Sequence, residues 1–432
     1  MFALILSIPA LIKILCVFGL ILVLNRLRLS LTVSLFIGSL ALGLWMKLAP
    51  WLLISSAWFS LTKWQTINLA LIVGFIFIMS QLMKESGHLD RIVESFGRLT
   101  RDDRIAGAVL PALIGLLPMP GGALFSAPMV DSALCRRPLT GEEKTIVNYW
   151  FRHLWEYWWP LYPGVVLAVA LLEVDTWRFM VVMFPMALLS VLAGVVFILK
   201  PLGKTHEDSG AVFSRSNLGA FLWEIMPISV VVFLILAFAG MEGLMKLAGL
   251  ELNLPGALPI LTGLIASTLW ICAVNRVSMN RFRSSLTNRQ ILPMFLLIFA
   301  IMVFKGIMSD SQAVFQIRRE LLDYHIPVML IILIMPFLSG FITGIAIGFV
   351  GTSFPLIIPL IYGMSPHNPL AYAAIAYTFG FMGMMLSPVH LCFLVTKDYF
   401  EASMIRTYRH LFLPVLTVMV LAGVLFFIYR SI

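Results

Sequence analysis

Charged residues are scarce. Asp, Glu, Lys and Arg make up 12% of the 432 residues, about half the roughly 25% usual in a soluble domain. That shortage excludes a water-exposed globule, a solvated coiled coil and a disordered tail, each of which needs ionic surface. Cysteine is sparse too. Cys16, Cys135, Cys272 and Cys392 are scattered without metal-ligand spacing or a disulfide framework. The chain has no phosphate-binding loop, no H-E-x-x-H pair and no G-x-S-x-G elbow, so no cofactor is expected and no enzyme class suggests itself. It lacks a basic residue ahead of its first apolar run and a small-residue cleavage site after it. Residues 3–24 therefore read as a retained first helix rather than a signal peptide.

Apolar residues are abundant, at 60% of the chain with mean hydropathy +0.98. A spanning helix needs roughly 20 of them in a row, and about ten such runs are present. The runs are continuous rather than alternating, which excludes an outer-membrane barrel. The expected fold is an all-α polytopic membrane protein with spans near 3–24, 29–46, 66–83, 176–199, 219–241, 256–274, 291–307 and 408–429. Two longer spans, near 145–172 and 368–396, are interrupted by Pro. The net charge of +9 fits the basic cytoplasmic loops of such proteins, and no nucleic-acid partner is expected.

Two apolar regions behave differently. Residues 105–135 are broken by Pro118-Met119-Pro120-Gly121-Gly122, and residues 327–363 by Gly351-Thr352-Ser353-Phe354-Pro355. Pro and Gly stop a helix, and backbone freed at membrane depth has to be buried or face a water-filled cavity. Each region reads as a re-entrant hairpin that enters and leaves on one side. Under that topology the basic loops at 26–28, 84–104, 136–144, 200–215, 276–289 and 397–409 all fall on one face, which the positive-inside rule makes cytoplasmic. Both termini then face outward. The basic segments 88–104 and 275–289 could meet anionic lipid headgroups, although a solvated loop face accounts for them more economically.

Landmarks recur at a nearly constant offset. Gly121 and Gly351 are 230 positions apart, Pro160 and Pro388 are 228, and Glu173 and Glu401 are again 228. Two halves are expected, 1–200 and 219–432, joined by a cytoplasmic linker at 201–218. Five crossings per half make the second half inverted relative to the first, with broken helices meeting between them.

This arrangement resembles the ion transporter superfamily, which includes the gluconate permeases and the divalent-anion and citrate carriers. More narrowly, Leu117-Pro118-Met119-Pro120-Gly121-Gly122-Ala123-Leu124-Phe125-Ser126-Ala127-Pro128 resembles the hallmark of a prokaryotic membrane-protein family of unknown function within that group. The divalent-anion carriers bear Ser-Asn-Thr at both tips, where this chain has other residues. The resemblance implies a substrate site between tips and broken helices, a part of each half that moves against a scaffold, and a scaffold that dimerises.

Candidate site residues follow. At the tips, Pro120, Gly121, Gly122 and Gly351 would bare backbone dipoles to an anion or cation, and Ser126, Thr352 and Ser353 add hydroxyls. In the first broken helix, Asn148, Arg152 and Glu156 are spaced i, i+4, i+8 and share a face. An Arg in a span costs about 2.5–3.5 kcal/mol on insertion scales, so it needs a partner, and Glu156 is the nearest candidate. Arg152 alternatively clamps an anionic substrate. Glu156 or His153 would take up a coupling proton, and no metal ligand set is assigned. The tryptophans around them also suit an interfacial belt. In the second broken helix, Ser387 and His390 are the corresponding candidates. Lys13 and Lys305 are expected to snorkel outward.

The expected function is secondary transport of a small anionic organic solute across a prokaryotic inner membrane, coupled to H⁺ or Na⁺. The expected partners are the solute, the ion, membrane lipid and a second copy of the chain. The alternative is a membrane-embedded enzyme or lipid-handling protein, with Arg152, His153 and Glu156 acting on a polar headgroup.

Overall fold

The computed structural model describes residues 8–97, 102–119, 121–203, 215–250, 255–313, 315–317, 320, 327–364 and 366–431. Pro120 and most of the 201–218 linker lie outside them. The described residues are helical, without a strand. Six helices are long and apolar enough to cross a membrane, and five shorter apolar helices accompany them.

The first half runs α1 (Ala10–Arg26), α2 (Leu31–Trp45), α3 (Pro50–Thr62), α4 (Trp64–Glu85), α5 (His88–Gly97), α6 (Asp103–Ile114), α7 (Ala123–Ala133), α8 (Gly141–Arg152), α9 (Pro163–Leu172) and α10 (Thr176–Gly194). The second runs α11 (Arg215–Leu247), α12 (Leu258–Val274), α13 (Met279–Leu286), α14 (Ile291–Asp310), α15 (Val328–Thr343), α16 (Ala346–Gly363), α17 (Pro369–Met385), α18 (Leu391–Tyr399) and α19 (Met404–Ser431). Local chemistry sets many boundaries. Thr140 and Glu143 form a reciprocal capping box at α8. Pro50, Pro163 and Pro369 occupy first-turn positions, where a missing N–H costs nothing.

Packing is paired across the halves. α1 packs on α2 as α11 packs on α12, and α2 packs on α14 as α12 packs on α4. α6 lies against α7 and α8, and α15 against α16 and α17. α7 crosses to α18, and α16 crosses to α9.

Several expectations need correction. The second apolar region does not break at Gly351–Pro355. Those residues are inside α16, and the interruption is at Gly344 and Ile345. Gly344 takes φ +65°, a conformation that ends helices and suits a residue without Cβ. Thr352 and Ser353 donate their hydroxyls back to Gly348 and Phe349 carbonyls, as helix-interior residues do. Gly351 serves packing, since a Cβ there would lie 2.4 Å from Ile301 Cδ1. Lys13 is buried rather than snorkelling. Lys305, by contrast, reaches the exposed Glu173 carboxylate at 3.0 Å. α3 was not anticipated; it is short, with Trp51, Ile54, Trp58 and Phe59 exposed. The 88–104 segment is no bare loop face. Its residues His88–Gly97 form α5, whose His88 and Arg91 both reach Glu224 on α11, at 2.6 and 2.9 Å, and residues 98–101 lie outside the described residues.

Candidate functional site

Both helix breaks and both interrupted helices line one cavity of about 180 Å³. The first break contributes Pro118, Met119 and Gly121, and the second contributes Gly344, Ile345, Ala346 and Ile347. The end of α8 supplies Arg152, His153 and Glu156; the start of α9 supplies Tyr162, Pro163 and Gly164; the start of α18 supplies His390, Leu391 and Cys392. Two larger cavities, about 440 and 780 Å³, adjoin the Glu173 end of α9. The first of these also meets helix ends, at Trp64, Thr176 and Ala257, but neither is lined by the buried arginine and the imidazole pair, and the smaller cavity is the better site on chemistry.

The N-termini of α9, α16 and α18 all open onto the cavity, and α7 begins two residues beyond the lining residue Gly121, with Gly122 as its N-cap. A helix N-terminus exposes unbonded N–H groups and the positive end of its dipole. The chain is close-packed there. A Cβ on Gly164 at the start of α9 would lie 2.8 Å from the Ala346 Cβ at the start of α16.

Arg152 ends α8 at 2% exposure. Its Nη2 donates to the Met119 carbonyl at 3.1 Å, while its Nε–H is buried without a partner. Glu156 is not its ion-pair partner. The chain tightens after Arg152 into a 3₁₀ turn, Leu154–Tyr157. Three residues per turn rotates position 156 away from the face shared at i+4. The Glu156 carboxylate lies 3.8 Å from His153 Nε2 instead. Asn148 donates to Thr396 Oγ1 at 3.0 Å, and its Oδ1 has no partner.

The two imidazoles meet across the halves. His153 Nε2 is 3.1 Å from His390 Nε2, and His153 Nδ1 is 2.6 Å from the Tyr149 carbonyl. The Tyr149 ring packs edge-on against both.

The aromatic run holds the first break together. Trp155 and Trp159 donate their indole N–H groups to the Ala112 and Leu116 carbonyls at 2.7 and 3.1 Å, and the Tyr162 hydroxyl donates to the Gly115 carbonyl. These are the carbonyls that the end of α6 leaves without helical partners. Trp150 is buried and donates to Ser190 of α10 at 3.0 Å. All four polar groups are thus spent on protein backbone.

The other sequence candidates are placed as follows. Gly122 abuts the Arg152 guanidinium. Ser126, Gly351, Thr352 and Ser353 are buried inside α7 and α16 and do not line the cavity. Ser387 is buried behind Gly344, its Oγ 3.0 Å from where a Cβ on that glycine would sit. Sequence reasoning missed Gly344, Tyr162 and Cys392. Only Gly344 carried a usable signal, as a glycine following an apolar helix of ordinary length.

The chain belongs to the family described as "Protein of unknown function (DUF401)", which it matches over residues 10–429. No curated protein matches it.

Proposed function

We propose that the protein is a secondary active transporter of a small anionic organic solute, driven by H⁺ or Na⁺, in a prokaryotic inner membrane. In this reading the two halves are inverted repeats of the ion transporter kind, the α6–α7 and α15–α16 pairs are re-entrant hairpins, and both termini face outward. The boundaries support a duplication. Gly141, which opens α8, and Pro369, which opens α17, are 228 positions apart, as are Pro163 and Leu391, and Thr176 and Met404. The left-handed residues Glu173 (φ 56°) and Glu401 (φ 51°) keep the same spacing.

The observation that carries the function is the cavity itself. Helix N-termini converge there beside a buried guanidinium whose Nε–H is unused. A buried cation without a paired carboxylate is costly, and an incoming anion supplies the missing partner while meeting the helix dipoles. Gly121 lets backbone approach the ligand, and Gly122 leaves room for the guanidinium. Glu156, beside His153 and His390 in the same space, is the carrier for a coupling proton. Broken helices at a repeat interface are where transporters place substrate and ion.

Flux in proteoliposomes tests this. A panel of small organic anions is offered under imposed proton and sodium gradients, and at least one is expected to accumulate. If no gradient drives any of them, the transport reading fails. Arg152→Gln is expected to insert normally and to lose at least tenfold in affinity. Unchanged affinity removes Arg152 from the site.

A further inference from the structure

We propose that His153, His390 and Cys392 form a transition-metal site in the cavity wall, of the kind that takes Zn²⁺. One donor atom from each of the three residues lies within 4.8 Å of the others. They come from the two interrupted helices: His153 follows α8, while His390 and Cys392 straddle the start of α18. No span of sequence brings them together; only the meeting of the halves does.

The hydrogen-bonding of His153 sets its free nitrogen. A backbone carbonyl only accepts, so the 2.6 Å contact with the Tyr149 oxygen places hydrogen on Nδ1 and leaves a lone pair on Nε2 in the neutral ring. This is the orienting bond that metal-ligating histidines make. His390 Nε2 stands 3.1 Å from that lone pair. Two imidazole nitrogens bound to one tetrahedral ion at roughly 2.0–2.1 Å are about 3.3 Å apart. His390 is 5% exposed and its Nδ1 has no partner. With its hydrogen on Nδ1, two lone pairs face each other. With its hydrogen on Nε2, the buried Nδ1 lone pair is bare. Metal binding selects the Nδ1–H tautomer, in which both Nε2 lone pairs are free for the ion.

The donor set decides which cation. Two imidazoles and a thiolate favour borderline or soft ions and discriminate against Na⁺, Mg²⁺ and Ca²⁺, which take oxygen ligands. Two charged side chains line the cavity. Arg152 opposes a metal ion, and Glu156, 3.8 Å from His153 Nε2, favours it. A thiolate-bound divalent ion adds one net positive charge beside Arg152, which raises the affinity of the cavity for an anion. That last clause rests on the transport reading, whereas the metal site stands on donor geometry alone.

The test uses the purified full chain in detergent micelles with no solute present. Zn²⁺ is expected to bind one per chain, and Mg²⁺ and Ca²⁺ are not. Co²⁺ is expected to give a thiolate-to-metal charge-transfer band that Cys392→Ser abolishes. His153→Ala and His390→Ala are each expected to weaken Zn²⁺ binding at least 100-fold. Against failure of a variant to fold, a chain with Cys16, Cys135 and Cys272 replaced by Ala keeps the site intact. In it, Zn²⁺ is expected to slow maleimide labelling of Cys392. Absence of stoichiometric Zn²⁺ binding, absence of labelling protection, or binding that survives all three substitutions overturns the site. If Zn²⁺ binds but no anion moves, the transport reading alone fails. If anions move equally well in chelator and Zn²⁺ does not bind, the metal site alone fails.

Discussion

Tyr149 and Tyr377 stand 228 positions apart and serve each other's broken helix. The Tyr149 hydroxyl, from α8, donates to the Met385 carbonyl where α17 stops, at 3.0 Å. The Tyr377 hydroxyl, from α17, donates to the Glu156 carbonyl in the turn after α8, at 2.7 Å. Both rings are fully buried. The exchange links each half to the interruption of the other and satisfies carbonyls that the interruptions bare.

Removing one of these hydroxyls leaves a buried acceptor without a donor, which costs about 1–3 kcal/mol. Tyr149→Phe and Tyr377→Phe are each expected to destabilise the protein by that amount in denaturant titrations in micelles. The volume change is small, so packing loss adds little. Losses under about 0.5 kcal/mol for both would mean that water, rather than the tyrosines, satisfies the breaks.

Gly122 is fitted to Arg152. A Cβ on the glycine would lie 2.1 Å from Nη2. The Gly122 backbone has φ −56°, which alanine accepts readily, so Gly122→Ala carries no backbone strain. Its effect falls on the guanidinium, which has to swing off the Met119 carbonyl. The expected result is near-normal thermal stability with anion binding weakened about tenfold, equivalent to about 1.4 kcal/mol. Equal affinity in the variant would show that the position of Arg152 is immaterial to binding.

Much of the fold was legible because apolar run length and Pro/Gly punctuation are local signals. Pro160 and Pro388 mark the interrupted helices, and Glu173 and Glu401 mark where they end. The second break was misplaced because Gly351 and Pro355 look like a helix stop, yet Pro355 is carried inside α16. What stops the helix is one residue, Gly344, taking positive φ. The expected Arg152–Glu156 pair failed for a related reason. The i, i+4 rule presumes an α-helix, and the chain switches to a 3₁₀ turn between the two residues. The imidazole pair and Cys392 were beyond reach. Their proximity depends on how two halves pack, and no spacing within either half encodes it.

Asp102 caps α6 at its N-terminus, accepting from the Arg104 backbone N–H at 2.9 Å and pairing with its guanidinium at 2.7 Å. The Arg104 hydrogen bond holds the carboxyl down at about 2, against an ordinary value of 3.8. A depressed acid in the folded state stabilises fully above its unfolded value, and that stability is lost as pH falls through the folded one. Wild type is therefore expected to exceed Asp102→Asn above pH 4. The gap should be about 0.5 kcal/mol for a partly exposed pair and should close between pH 4 and 2. Melting curves of the two proteins across that range check it; a gap that persists at pH 2 means the charge contributes nothing.

The glycines of α15 and α17 let two backbones touch, and this makes the sharpest stability prediction. A Cβ on Gly340 would lie 2.0 Å from the Gly380 carbonyl oxygen, and one on Gly383 would lie 2.1 Å from the Phe337 oxygen. The obstacles are backbone atoms, so no rotamer change relieves them and the helices have to separate. Gly383→Ala is expected to cost at least about 2 kcal/mol through overpacking. Gly344→Ala adds a different penalty, since φ +65° costs an L-residue about 1–2 kcal/mol, and its Cβ would press on His390 N and Ser387 Oγ at 3.0 Å. Gly243 in α11 is the control, with nothing within 4 Å of its Cβ position. Helix propensity alone predicts that Gly243→Ala gains about 0.5–1 kcal/mol. Denaturant titration of the three variants orders them, with Gly243→Ala above wild type and the other two below. If Gly383→Ala unfolds alongside wild type, α15 and α17 are not in backbone contact, and the wall of the cavity built on them is wrongly placed.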